Sequence, residues 1–189
     1  MDFAVLGWPA AGETLSLDHE RFAYAGKFVM SGTGKAVARA GGDVVPAVAF
    51  DPDRTDGEVL KLRYVTVRED RQGDGIGPRL LRFIAARASE RGFERVVIAV
   101  NNPFAYQAAY RAGFGYTGDR TGIAELELAR PTPDRAGRYR DGLAAFRERD
   151  LGEPAASFLA AKAGSDPPAV LPDPAAADQP LSGHEPDGA

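Results

Sequence analysis

One glycine-rich loop, placed between a strand and a helix, constrains the fold of this chain more than any other feature. Residues 59–67 alternate in their first half and are rich in β-branched side chains, so they predict a strand. Residues 78–92 place apolar side chains on one face at helical spacing and end at Gly92, so they predict an amphipathic helix. The loop between the two elements contains Gln72, Gly73, Asp74, Gly75, Ile76 and Gly77.

The chemistry of such a junction predicts an anion-binding site. Glycines allow the backbone N–H groups to turn inward, and the N-terminus of the following helix adds partial positive charge. Together these features suit a pyrophosphate. Pro78 fits the first helical turn, because the N–H that it lacks would have no intrahelical partner there.

Two better-known phosphate-binding motifs do not match the sequence. A Walker loop requires a glycine upstream of its Gly-Lys pair, and Gly34-Lys35 has Val29 at that position. A dinucleotide-binding GxGxxG motif that began at Gly73 would require glycine where the chain has Pro78. The loop therefore indicates a phosphate site of another class.

Regular elements continue on both sides of the loop. Downstream, residues 94–100 predict a buried strand, Asn102 and Pro103 begin a second helix, and residues 116–130 predict a hairpin. Upstream, the sequence predicts a strand over Phe3–Trp8 and a short helix that starts near Asp18.

A second hairpin is predicted upstream of the loop. Two strands over residues 35–50 are joined at Gly41-Gly42. Pro46 indicates that the second strand either lies at an edge of the sheet or contains a bulge.

The C-terminal part of the chain differs in composition from the rest. After Pro133 the sequence predicts two helices that are separated near Gly152 and Pro154. Residues 164–189 are rich in proline and poor in bulky apolar side chains, which predicts a disordered tail. We therefore predict a domain over residues 1–130, a helical extension over 131–163 and a tail over 164–189.

Composition argues against several classes of function. Cysteine is absent, which removes disulfides, thiolate metal sites and a cysteine nucleophile. Histidine occurs only at His19 and His184, so neither a zinc site nor a Ser-His-Asp triad is expected. The net charge of −4 gives no indication of nucleic-acid binding, and no apolar run suits a membrane span or a signal peptide. We expect a cytoplasmic protein, a monomer or homodimer, without a nucleic-acid or membrane partner.

The stretch from residue 59 to residue 130 resembles the GNAT superfamily of acyl-CoA N-acyltransferases. The shared features are a Gln/Arg-x-x-Gly-x-Gly/Ala loop after a strand, a long helix, another strand, and a second helix that begins at asparagine and ends at Gly-Phe. Here they are Gln72, Gly75, Gly77, Asn102 and Gly113-Phe114. The resemblance implies an α/β fold with a mixed, mostly antiparallel sheet and flanking helices, to which this chain adds C-terminal helices.

The resemblance also implies acetyl-CoA as the acyl donor. The backbone of Val65, Thr66 and Val67 would pair with the pantetheine arm like an added strand, and Asn102 would face the cofactor. Arg79 would bring a guanidinium to a phosphate, with Arg71 as the weaker candidate for that role. The residues that wrap the pyrophosphate would be Gln72, Gly73, Asp74, Gly75, Ile76, Gly77 and Pro78.

The chain departs from the family pattern at both catalytic positions. The position of the usual glutamate base holds Lys61, so base catalysis would run through water or through an N-terminal acid, namely Glu13, Asp18 or Glu20.

The position of the usual general-acid tyrosine holds Ala109. A phenol would therefore have to come from Tyr106 or Tyr110, which lie on other faces of the same helix.

These residues predict an N-acetyltransferase. Without a cysteine or a placed histidine, direct attack by a primary amine on acetyl-CoA is more natural than a covalent acyl-enzyme. The acceptor would be the amine of a small molecule or of a peptide. The alternative is a non-catalytic acyl-CoA-binding regulatory module, which the missing glutamate and the displaced tyrosine favour.

Overall fold

The computed structural model describes residues 1–122 and 124–172, and within these ranges seven strands form one sheet. The strands are β1 (Asp2–Gly7), β2 (Gly34–Ala40), β3 (Asp43–Pro52), β4 (Val59–Val67), β5 (Arg95–Val100), β6 (Gly115–Thr121) and β7 (Glu125–Arg130). Their order in the sheet is β1-β2-β3-β4-β5-β7-β6, and of the neighbouring pairs only β4 and β5 run parallel. The predicted mixed, mostly antiparallel sheet is confirmed.

Helices follow the strands where the sequence predicts them. In chain order they are α1 (Ile76–Glu90), α2 (Pro103–Arg111), α3 (Arg135–Arg147) and α4 (Glu153–Ala161). Asn102 caps α2, since its Oδ1 accepts a hydrogen bond of 2.8 Å from the N–H of Ala105. No helix of the described residues is long and apolar enough to cross a membrane.

The β2–β3 hairpin confirms the predicted turn at Gly41-Gly42 and the predicted irregularity at Pro46. Gly41 and Gly42 adopt φ angles of 60° and 91°, which the tight turn between the strands requires. Pro46 lies at a bulge, because Ala38 of β2 faces both Val45 and Pro46. Since β3 has β2 on one side and β4 on the other, the bulge and not an edge position accommodates the proline.

The helix predicted near Asp18 does not form. Residues 19–24 turn around Asp18, whose carbonyl accepts hydrogen bonds from the N–H groups of Arg21 and Phe22. Tyr24 then adopts a left-handed conformation with φ of 61°, and only a short 3-10 turn follows, over Ala25–Lys27. The apolar residues whose spacing suggested a helix instead anchor a loop, in which Phe22 is buried.

The two faces of the sheet carry separate apolar clusters. The larger one lies between the sheet and the helices α1, α2 and α3. The smaller one lies on the opposite face, where Leu15 and Phe28 of the N-terminal loop cover β2 and β3. Because that loop covers only this part of the second face, side chains of β4, β5 and β7 remain accessible beside it, including those of Arg63, Arg95 and Ala99.

The C-terminal segment contacts the rest of the molecule as far as the structure describes it. The N–H of Leu171 donates to the carbonyl of Arg111 at 2.8 Å, and Val170 packs against the larger apolar cluster. The part of the predicted tail from residue 173 onward lies outside the described residues, and the three domain boundaries stay a prediction.

Candidate functional site

The central feature of the site is an opening between the parallel strands β4 and β5. These strands pair only up to Leu62 and Ile98. The next residue of β4, Arg63, is a bulge, because Leu62 and Tyr64 face consecutive residues of β3. A bulge bends its strand and increases its twist, so β4 leaves β5 beyond this point.

The opening leads into a cleft of about 580 Å³. Its lining comes from the end of β4, the glycine loop, the start of α1, one face of α2, and residues 23 and 24 of the N-terminal loop, together with Ile98 of β5 and Phe158 of α4. Ten of the residues predicted to bind the cofactor line it: Val65, Thr66, Val67, Gln72, Gly73, Gly75, Ile76, Gly77, Pro78 and Asn102. Asp74 and Arg79 do not, and Arg79 is exposed on α1.

The glycine loop presents the start of α1 to the cleft. Gly75 precedes the helix with φ of 73°, and no side chain caps the first turn. The N–H groups of that turn are therefore available to an anion. Gln72 closes the loop onto β4, since its Nε2 donates to the carbonyl of Val67 at 3.4 Å. Arg71 pairs with Asp74 at 2.8 Å within the loop.

Arg111, at the end of α2, was missed by sequence reasoning. A Cβ atom placed on Gly75 would lie 3.9 Å from both terminal nitrogens of the Arg111 guanidinium, so this charge stands beside the loop. Within the described residues no carboxylate pairs with it. Helical spacing carried the signal, because Phe104, Ala108 and Arg111 follow an i, i+4, i+7 pattern and all line the cleft.

The same spacing turns the two predicted catalytic tyrosines away from the cleft. Tyr106 is fully buried, and its hydroxyl donates to the carbonyl of Tyr139 in α3 at 3.1 Å. Burial raises the pKa of Tyr106 well above its usual range, which makes it a poorer acid. Tyr110 packs its ring 4.5 Å from that of Tyr139. Their placement under α3 argues against the predicted role of either residue as general acid.

Tyr24 occupies the rim of the cleft instead. It is the one tyrosine of the described residues that lines this cleft, and 56% of it is exposed. Its ring lies 6.3 Å from that of Tyr64 on β4. No sequence pattern selects it, because it lies in a segment that was expected to be helical.

No carboxylate of the described residues lines the cleft, which leaves the base unassigned. Glu13, Asp18 and Glu20 are all absent from its lining. Lys61, at the position of the family glutamate, lies in the paired half of β4 and forms an ion pair with Asp53. The hydrogen bond from Lys61 holds the pKa of the Asp53 carboxyl below its usual range.

The residues present fit a coenzyme A molecule. Thr66 is buried in the lining, and its Oγ1 has no hydrogen-bond partner within the described residues. An extended ligand in the opening would meet this hydroxyl and the backbone edge of β4. The glycine loop and Arg111 would meet a pyrophosphate.

Comparison with known families agrees with this interpretation of the cleft. The family model described as the acetyltransferase (GNAT) family matches residues 5–116. No curated protein matches the chain.

Several solved structures are similar to part of the chain. Nourseothricin acetyltransferase is 25% identical, with a TM-score of 0.45, over 53% of this chain and 66% of its own. An acetyltransferase from Thermus thermophilus is 24% identical, with a TM-score of 0.46, over 53% of this chain and 64% of its own. A Bacillus subtilis acetyltransferase solved in complex with CoA is 16% identical, with a TM-score of 0.43, over 51% and 75%.

Proposed function

Because this chain belongs to the GNAT family of acyl-CoA-dependent acetyltransferases, we propose that it moves an acetyl group from acetyl-CoA to a primary amine. The observation that carries the proposal is the opening between β4 and β5 beside an uncapped, glycine-led helix start. The amine nitrogen attacks the thioester carbonyl carbon, the carbon–sulfur bond breaks, and the thiolate sulfur takes up a proton. The acetyl-CoA thioester supplies the activated acyl group.

The chain's own residues bind and orient the donor. The edge of β4 from Val65 to Val67 pairs with the amides of the pantetheine arm, and the hydroxyl of Thr66 gains its missing partner there. The first turn of α1 and the guanidinium of Arg111 bind the pyrophosphate. These contacts hold the thioester in the opening, where an amine approaches it along the accessible face of the sheet.

Proton transfer rests on few groups in this cleft. Since no carboxylate of the described residues lines it, water accepts the proton of the attacking amine. Tyr24 is the phenol at the rim, so it is the residue to test as the donor to the thiolate.

The binding half of the proposal is tested by calorimetry with acetyl-CoA. Replacing Gly75 by valine strains a backbone with φ of 73° and distorts the loop, so we expect affinity to fall by about tenfold or more. Gly92→Val is the matched control, because Gly92 also has a positive φ, of 89°, but lies at the other end of α1. Equal acetyl-CoA affinity in the wild type and a folded Gly75→Val variant would refute the proposed binding mode.

A regulatory, non-catalytic module that binds acyl-CoA is the second candidate. The absence of carboxylates from the described lining and the buried Ala109 favour it. A broad panel of primary amines, small molecules and peptides, separates the two functions when release of free CoA is measured. Transfer to any amine supports the enzyme, whereas tight binding without transfer or hydrolysis supports the module.

A further inference from the structure

The helix α4 lies outside the matched family region but reaches the cleft. Residues 5–116 match the family model, and α4 covers Glu153–Ala161. Its Phe158 lines the cleft and packs against Phe104 of α2, with ring centroids 4.9 Å apart and planes at 52°. Phe104 also lines the cleft and remains 46% exposed, so the pair contributes accessible aromatic surface there.

One cation contacts the aromatic pair, and a second lines the same cleft. Lys162 follows α4 one turn after Phe158, and its Nζ lies 5.7 Å from the centroid of that ring. The guanidinium of Arg111, which lines the same cleft, stands beside Gly75 of the loop. Neither side chain forms an ion pair within the described part of the chain. Unpaired positive charge beside exposed aromatic surface suits a ligand that is both flat and anionic.

We propose that Phe104, Phe158 and Lys162 form a seat for the 3′-phosphoadenosine end of coenzyme A. The inference rests on the proposed function, which brings the pyrophosphate to the glycine loop. Arg111 lies beside that loop and shares one face of α2 with Phe104, so the nucleotide leaves the pyrophosphate toward the aromatic pair. The adenine stacks on the aromatic surface that Phe104 and Phe158 form together, and the 3′-phosphate meets the ammonium of Lys162.

The fold holds α4 firmly enough to serve this role. Leu159, next to Phe158, is buried in the larger apolar cluster. Its carbonyl accepts a hydrogen bond of 3.2 Å from Nη2 of Arg147 in α3. The side chain of Phe158 therefore extends from a helix that is anchored at the next residue along the chain.

The test is calorimetric titration of the full chain with CoA and with dephospho-CoA, which lacks the 3′-phosphate. Phe158→Leu keeps apolar volume but removes the aromatic face, so we expect affinity for both ligands to fall about tenfold. Lys162→Gln should lower the affinity for CoA about fivefold and leave the affinity for dephospho-CoA unchanged. Met30→Leu, at an exposed apolar residue outside the cleft lining, is the control and should match the wild type.

The outcomes separate this inference from the proposed function. If the wild type binds neither ligand, both are overturned. If the wild type binds CoA and both variants bind it equally well, the seat is overturned and the proposed function stands. Lys162 is partly exposed at the end of its helix, so Lys162→Gln tests the inference even if Phe158→Leu does not fold. Melting temperatures of all four proteins identify any loss of folding.

Discussion

Two arginines illustrate how single side chains divide between the cleft and the solvent. Arg79 follows the glycine loop closely in sequence, yet it lies exposed on α1 and outside the cleft lining. Arg111 is distant in sequence, yet its guanidinium stands beside Gly75. Proximity along the chain favoured Arg79 as the residue near the phosphates. The helical phase of α2 instead brings Arg111 into the cleft lining.

The two arginines should therefore differ in their effect on cofactor binding. Arg111→Ala would remove the proposed charge-assisted contact with the pyrophosphate, so we expect acetyl-CoA affinity to fall about tenfold or more. Arg79→Ala should change it by less than about twofold, as is usual for an exposed charge. Titrations at low and high salt measure both. A larger effect from Arg79 than from Arg111 would restore the sequence-based assignment.

Tyr106 should behave as a structural residue. Tyr106→Phe removes the hydrogen bond to the Tyr139 carbonyl, so we expect the free energy of unfolding to fall by about 1 kcal/mol and turnover to stay within about twofold. Tyr110→Phe is the control, because no hydrogen bond of its hydroxyl occurs within the described residues, and its melting temperature should change less. A large loss of turnover with unchanged stability in Tyr106→Phe would reinstate it as the acid.

Whole elements were predictable where local chemistry defines them. The bounds of β4, the Asn102 cap and the Gly41-Gly42 turn follow from β-branched content, a capping side chain and paired glycines. The bulge at Arg63 was not predictable, because it exists only relative to the register of β3. The cleft-facing side of α2 was only weakly marked, because Phe104, Ala108 and Arg111 share one face but both faces of the helix are largely apolar until α3 covers one of them.

The bulge itself can be tested as an element. Deleting Arg63 would leave Leu62 and Tyr64 as successive residues on opposite faces, which restores regular alternation and extends the pairing of β4. We expect a folded protein whose opening is closed and whose acetyl-CoA affinity falls about tenfold or more. Arg63→Ala keeps the bulge and loses only the ion pair with Asp51, so it should bind normally. Normal binding by the deletion variant would contradict this account.

At the scale of the whole molecule, the chain returns to its core after α4. Composition alone predicts that residues 164–189 are dispensable, but the contacts of Val170 and Leu171 connect the first part of this segment to the larger cluster and to the end of α2. The sequence did not reveal this, because one valine and one leucine among prolines carry no periodicity.

Truncation at two positions should therefore give different results. A chain that ends at Ala163 loses the burial of Val170 and the hydrogen bond of Leu171, so we expect its melting temperature to fall by about 5 °C. A chain that ends at Pro172 should melt like the full-length protein. Differential scanning calorimetry of the three chains decides, and equal melting of all three would mean that the contact contributes nothing.

The opening between β4 and β5 also affects the tendency of the protein to aggregate. A strand edge without a partner can capture strands from other chains, and most sheets expose such edges only at their rims. This sheet has an additional pair of edges in its middle, beyond Leu62 and Ile98. A bound donor would fill the gap and cover these two inner edges, so that a strand of another chain could not pair with them. The donor would then protect the protein against self-association, and the fraction of molecules at risk of aggregation would rise whenever its supply falls.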